Sequence, residues 1–249
     1  MLLVFGSPDD RLTANVHRRL VDQGVSTIWL DEPEVFAETQ LSVEINRTHR
    51  SGFLQCGSET IMLHAIDGVF FRLPRVWWPS SEFDFQDQLF VYHETAASWY
   101  SFLAGLRCPQ VNRFGLGWWV HDVSYADQLR RSISTALGLG TPDSSSIPQL
   151  PIRNYPTPVR KTQNSRHVYV IGDYVVPRTI GDQDLAVRLN AQKETLAHWQ
   201  QETGITFCRL DFEDTGVMVI HYVEPMPMLE DEPFDTVDKI ESQLVQRLS

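Results

Sequence analysis

TFCRLDFEDTGVMVIHYVEPM, residues Thr206–Met226, reads as two apolar strands joined by a short acidic turn. Phe207, Arg209 and Asp211 alternate with Cys208, Leu210 and Phe212, the period of two that a strand imposes on its faces. Glu213, Asp214, Thr215 and Gly216 are residues that let a chain reverse. The hairpin places Asp211 near the end of its first strand and Glu224 near the end of its second. Two carboxylates on adjacent strands supply the oxygen ligands that a magnesium ion takes when it carries a nucleotide phosphate. By itself the pair is better read as two strand-end acids in water, so the rest of the chain decides what the hairpin is for.

The first third alternates as an α/β unit. Leu2–Phe5 is an apolar strand ending at Gly6-Ser7, and Asp9-Asp10 opens a helix that runs to Leu20, with Leu12, Val16, Leu20 and Val21 on one face. Gly24 ends the helix and Ser26–Leu30 returns as a second strand, which implies a parallel pair with a crossover. The Gly6-Ser7 corner carries no GxGxxG fingerprint of a dinucleotide site. From Leu41 to Leu73 the pattern shortens to the strands LSVEIN, GFLQC, TIMLH and GVFFRLP. A long amphipathic helix follows over Gln86–Leu106, with Leu89, Phe90, Ala96, Ala97, Tyr100 and Leu103 as its apolar positions. Gln110–Asn112 is a short strand, and Tyr125–Leu137 a helix closed by Gly138. Two tryptophan pairs, Trp77-Trp78 and Trp118-Trp119, are residues of a core or of a partner interface.

Composition bounds the function. The 249 residues make one large domain or two modest ones, 42% hydrophobic and 21% charged, with no run of membrane-spanning length. The amino terminus, MLLVFGSPDD, lacks the basic start of a secretory signal. A net charge of −11 argues against nucleic acid and anionic membranes, which select basic surfaces. Cys56, Cys108 and Cys208 are scattered without a CxxC pair, so neither a disulfide framework nor a zinc site is expected, and a reducing cytoplasm is.

Residues 141–160, TPDSSSIPQLPIRNYPTPVR, hold five prolines and form a connector rather than a helix or central strand. Beyond it, His167–Ile171 and Tyr174–Ile180 form a hairpin about Gly172-Asp173. Leu185–Glu202 reads as one helix on Leu185, Leu189, Leu196 and Trp199, and Phe234–Leu248 as a terminal one on Val237, Ile240, Leu244 and Leu248.

The order IDGVFFRLP, long helix, QVNR, SYADQLRRSISTALGLGTP, HVYVIGDYVV, helix, GITFCRLDFEDTG, VEPMP resembles the ATP-grasp superfamily. It is most similar to the RimK-type branch that includes peptide-modifying ligases such as the graspetide macrocyclases. The resemblance implies an α/β chain with a pre-ATP-grasp-like domain over 1–120. A reduced ATP-grasp-like lobe follows over 121–249, in which connector 141–160 stands where the family has a lid subdomain. In that family ATP and magnesium activate a carboxylate as an acylphosphate, which an amine or hydroxyl attacks.

Carried over residue by residue, Asp211 and Glu224 match the family's metal-binding acids, while Met226 stands where an asparagine is expected. A thioether is a poor ligand for a hard cation. Arg166, before HVYVIGD, matches an arginine that contacts phosphate or substrate, and Lys161 and Arg178 are the further candidates for nucleotide phosphates. The chain's lysines are Lys161, Lys193 and Lys239, and none falls at the family's lysine position near Ser124-Tyr125.

Three functions follow from the resemblance and its departures. The first is a degenerate, non-catalytic protein that binds a peptide or protein partner of a peptide-modification pathway, with Trp77, Trp78, Trp118 and Trp119 as candidate contacts and no cofactor expected. The second is an ATP- and magnesium-dependent carboxylate ligase with a divergent site. The third is a small-molecule binder. No nucleic-acid or membrane partner is expected in any of them, and a homodimer stays open.

Overall fold

Leu2–Phe5 (β1) is buried along its whole length, as a run of unbroken apolar residues must be when both faces of its sheet are covered. The computed structural model describes residues 1–31, 39–45, 50–73, 84–113, 123–140, 166–214, 218–227 and 229–249. The chain divides into two compact units, Met1–Val120 with Leu244–Ser249, and His121–Gln243. The last residues of the chain, Leu244–Ser249, thus group with the first unit.

In the first unit, β1 runs parallel to β2 (Thr27–Leu30) on one side and β6 (Gly68–Phe71) on the other, and β6 pairs in parallel with β7 (Gln110–Val111). Helix α1 (Arg11–Asp22) crosses between β1 and β2 and buries Leu12, Val16 and Leu20. It begins so close to β1 that a Cβ on Gly6 would lie 2.6 Å from Thr13 Cγ2, which explains glycine at that corner. Arg72 Nε meets Asp10 Oδ2 at 2.7 Å across the ends of β6 and α1, with both side chains largely removed from solvent. A separate antiparallel sheet joins β3 (Thr39–Ile45), β4 (Arg50–Cys56) and β5 (Glu59–Met62).

Helix α2 (Phe85–Ala104) matches the expected span, but its buried stripe differs. Ala96, Trp99, Phe102 and Leu103 are buried, while Leu89, Phe90 and Tyr100 are exposed. Trp99 packs edge-on to Phe5 and Phe102. The amino-terminal half presents its apolar residues outward, so periodicity alone selects the wrong face.

The second unit is built on an antiparallel sheet in the order β11-β10-β8-β9: β8 is Arg166–Ile171, β9 Tyr174–Pro177, β10 Phe207–Asp214 and β11 Met218–Glu224. Gly172, at φ +58, takes the left-handed position of the β8–β9 turn. Val168, Val170, Cys208, Leu210 and Phe212 are buried on one face. Four helices belong to this half of the chain: α3 (Val123–Ala136), α4 (Gln183–Asn190), α5 (Lys193–Thr203) and α6 (Phe234–Leu248). The single helix expected over Leu185–Glu202 is therefore two. The chain leaves helical geometry at Gln192, whose N–H bonds back only three residues to Leu189. Leu189 and Leu196 are both buried on either side of the break, so the apolar spacing fits one helix as well as two. Connector 141–160 lies outside the described residues.

Candidate functional site

Alternation along antiparallel strands gathers the polar side chains of β8, β10 and β11 on the sheet face opposite Leu210 and Val168. The register sets Glu224 beside Arg209 and Arg209 beside Tyr169 in one row, and Tyr222 beside Asp211 and Asp211 beside His167 in the next. Arg178 extends the second row, its N–H bonding to the His167 carbonyl oxygen at 3.3 Å just past β9. β11 reaches this register through a bulge at His221, where Asp211 pairs with Tyr222 but Phe212 with Ile220. A regular strand would set Ile220 and Val223 on opposite faces; both are fully buried.

Asp211 and Glu224, the expected metal pair, do share this face, and each already has protein partners. Arg209 holds Asp211 with both edges of its guanidinium, Nε to Oδ1 at 2.7 Å and NH2 to Oδ2 at 3.1 Å. Tyr222 Oη donates to Glu224 Oε2 at 3.2 Å, and the Met226 backbone N–H donates to Glu224 Oε1 at 3.3 Å. Burial pushes the Glu224 carboxyl above its ordinary range despite the nearby Arg209 charge. Burial works against the Arg209 cation, but Asp211 and Glu224 together hold its pKa above the ordinary value.

The other candidates divide. Arg178 lies on the site face, but its Nε meets Glu232 Oε2 at 2.7 Å. Arg166 pairs in register with Phe212, so it belongs to the opposite face. There it binds Asp184, lies 3.5 Å from Asp182 Oδ1 and donates to the Gly181 carbonyl oxygen. The structure therefore does not bring Arg166 to Asp211 and Glu224. Lys161, Trp77, Trp78, Trp118 and Trp119 lie outside the described residues. Arg209 was visible in the sequence as the residue two before Asp211 on the same face. Glu232 carried no such signal, because it reaches the sheet from a turn.

As a magnesium site this donor set does not fit. A magnesium ion needs near-octahedral oxygen ligands, whereas both Asp211 oxygens face a guanidinium. Among the described residues, no three His, Cys, Asp or Glu side chains are grouped to hold a metal ion. Among those residues, too, no helix is long and apolar enough to cross a membrane.

The fold is that of ATP-grasp ligases, here as a mixed α/β chain matched over its full length. The macrocyclase MdnC from Microcystis aeruginosa, crystallised with precursor peptide MdnA, superposes with a TM-score of 0.68 at 13% identity, covering 100% of this chain and 99% of that one. Macrocyclase MdnB from the same organism gives 0.64 at 15% identity, covering 99% and 98%. A RiPP-associated ATP-grasp ligase from Chryseobacterium gregarium, in complex with ADP and a leader and core peptide, gives 0.63 at 10% identity, covering 99% and 94%. No protein-family model and no curated protein matches the sequence.

Proposed function

We propose that this chain is an ATP-grasp-fold protein that has given up ligation and binds a peptide or protein partner in a peptide-modification pathway. The observation that carries this reading is the seat of Arg209 on Asp211, between the two acids that would share a cation. Arg166 and Arg178 are likewise neutralised by carboxylates of the chain itself. Phosphoryl transfer depends on free positive charge placed around the phosphates, and these side chains spend theirs internally. The partner class follows from the fold, since several proteins of like fold are crystallised with precursor peptides. On this reading the first unit is the pre-ATP-grasp domain, connector 141–160 replaces the lid, and the protein works in the cytoplasm.

Magnesium-ATP titrated into the pure protein is expected to give neither calorimetric heat nor a rise in Tm. Saturating ligand at about 100 times its dissociation constant adds roughly 2.7 kcal/mol, so the measurement is sensitive. A magnesium-dependent stabilisation that Asp211→Ala abolishes would overturn the non-catalytic reading. That result would support the second reading, an ATP-dependent carboxylate ligase with a divergent site. It is favoured by the likeness to ligases along nearly their whole chains, and by the placement of Asp211 and Glu224 on one sheet face.

A further inference from the structure

An edge strand presents a row of unpaired N–H and C=O groups, and proteins blunt that template with shortness, proline, lysine or a bulge. Among the described strands, the sheet edges of seven residues are β3 and β11. The edges β2, β5 and β9 have four residues each, and β9 ends at Pro177. β11 carries the bulge at His221 and bridges to Gly140. β3, TQLSVEI, has none of these devices. It contains no proline, lysine or arginine, and its register with β4 runs unbroken from Thr39 to Ile45. Among the described residues no strand pairs with its other side.

The apolar face of this sheet is also unfinished on the β3 side. Leu41, Leu54 and Ile61 share that face across the three strands, and Val43 lies on it beside Gly52, which offers no side chain. Leu54 is fully buried and Ile61 is 3% exposed, although β5 is an edge too. Leu41 and Val43 are only half-buried. Helix α2 packs against β3, and its Phe85, Leu89 and Phe90 are exposed, Phe90 to 65%. An open ladder, two half-covered aliphatic side chains and an apolar helix surface thus belong to neighbouring elements of the first unit.

The sequence of β3 fits its own copy. Antiparallel pairing about a two-fold axis through Ser42 aligns all seven residues, Leu41 opposite the second copy's Val43, Gln40 opposite its Glu44 and Thr39 opposite its Ile45. Aliphatic then meets aliphatic on the covered face, and Glu44, the only charge in the strand, meets a neutral amide on the exposed one. An axis moved to Glu44 would set two carboxylates face to face and pair only Val43–Ile45 of the strand.

We propose that β3 is a dimerisation edge, adding antiparallel to β3 of a second copy of this chain and joining two three-stranded sheets into one of six strands. The added strand covers Leu41 and Val43 and bonds the outward N–H and C=O groups of the edge. The contact is isologous, as a two-fold axis requires. It is independent of whether the chain ligates or only binds a partner.

The test is sedimentation velocity of the full chain at micromolar concentrations, where the wild type should be a dimer. Ser42 is exposed and lies on the axis, so it is the residue to change. Ser42→Lys and Ser42→Glu each bring like charges face to face and should each raise the dissociation constant about tenfold or more. An equimolar mixture of the two variants should recover the dimer, because opposite charges then meet. Thr60→Lys, on the same exposed face but at the β5 edge, should leave the dimer intact. Ser42→Cys changes neither charge nor shape much, and under mild oxidation it should give a disulfide-linked dimer that the wild type does not form. A wild type that stays monomeric overturns the proposal and leaves β3 to some other strand. A dimer that the Ser42 charges leave unchanged, a mixture that does not recover it, or a Ser42→Cys protein that fails to cross-link would each overturn it too.

Discussion

Arg209 and Asp211, two residues apart on one strand, make a bidentate ion pair on the polar face of the second unit's sheet, with side-chain exposures of 14% and 13%. An i, i+2 pair on a strand shares a face by construction. Asp211 thus has a counter-ion from its own strand, and Glu224 gains the same cation as its cross-strand neighbour.

Replacing Arg209 with alanine removes the guanidinium that pairs with Asp211 and neighbours Glu224. The expected cost is about 2–4 kcal/mol, somewhat below that of breaking a fully buried pair. Millimolar magnesium should recover part of it in the variant and none in the wild type, since only the variant frees the oxygens of Asp211. Urea midpoints with and without magnesium check this, and an unchanged variant midpoint counts against the idea that Arg209 holds the cation's place.

Acid should weaken the second unit through Glu232. Burial raises this carboxyl, but the His167 and Arg178 contacts outweigh it and bring the pKa down to about 2 from 4.5. A depressed folded value means that the stabilisation is fully present above pH 4.5 and is lost as pH falls toward 2. Its size is about 3 kcal/mol, at roughly 1.4 kcal/mol per pKa unit. Glu232→Gln should flatten the stability–pH curve between pH 4.5 and 2, as read from urea midpoints across that window.

In the first unit, Asp10→Ala removes an ion-pair partner of the Arg72 side chain, which is 4% exposed. The expected loss is about 3 kcal/mol, the lower end of what breaking a buried ion pair by removing one partner costs. Arg72→Met added to Asp10→Ala should cost less than the sum of the single changes. Additive losses in this double-mutant cycle would show that the pair is not coupled.

Trp199 is 1% exposed, and its Nε1–H donates to Ser132 Oγ at 3.1 Å, tying α5 to α3. Trp199→Ala should lower stability by about 3–5 kcal/mol through the cavity it opens. Ser132→Ala should cost only about 1 kcal/mol, the usual worth of one hydrogen bond. Chemical denaturation of both variants separates packing from hydrogen bonding at this helix contact.

The sequence by itself determined the elements whose periodicity is local. The crossover from β1 through α1 to β2, the Gly172-Asp173 hairpin and the acidic hairpin of β10 and β11 all stand where alternation and turn residues place them. It also put Asp211 and Glu224 on adjacent strands, whereas the face they share depends on the bulge. Tertiary structure alone decided the rest, because its causes lie far apart in the chain. The bulge at His221 is a matter of pairing with Asp211 and Phe212, and the break at Gln192 falls between apolar positions that suit an unbroken helix. Arg166 and Arg178 look alike as basic residues near one hairpin, yet register sends them to opposite faces, Arg166 to Asp184 and Arg178 to Glu232. Glu232 lies 54 positions from Arg178 and 65 from His167. Only folding, which carries that carboxylate out of water onto His167 of β8 and Arg178 just past β9, makes it part of the site.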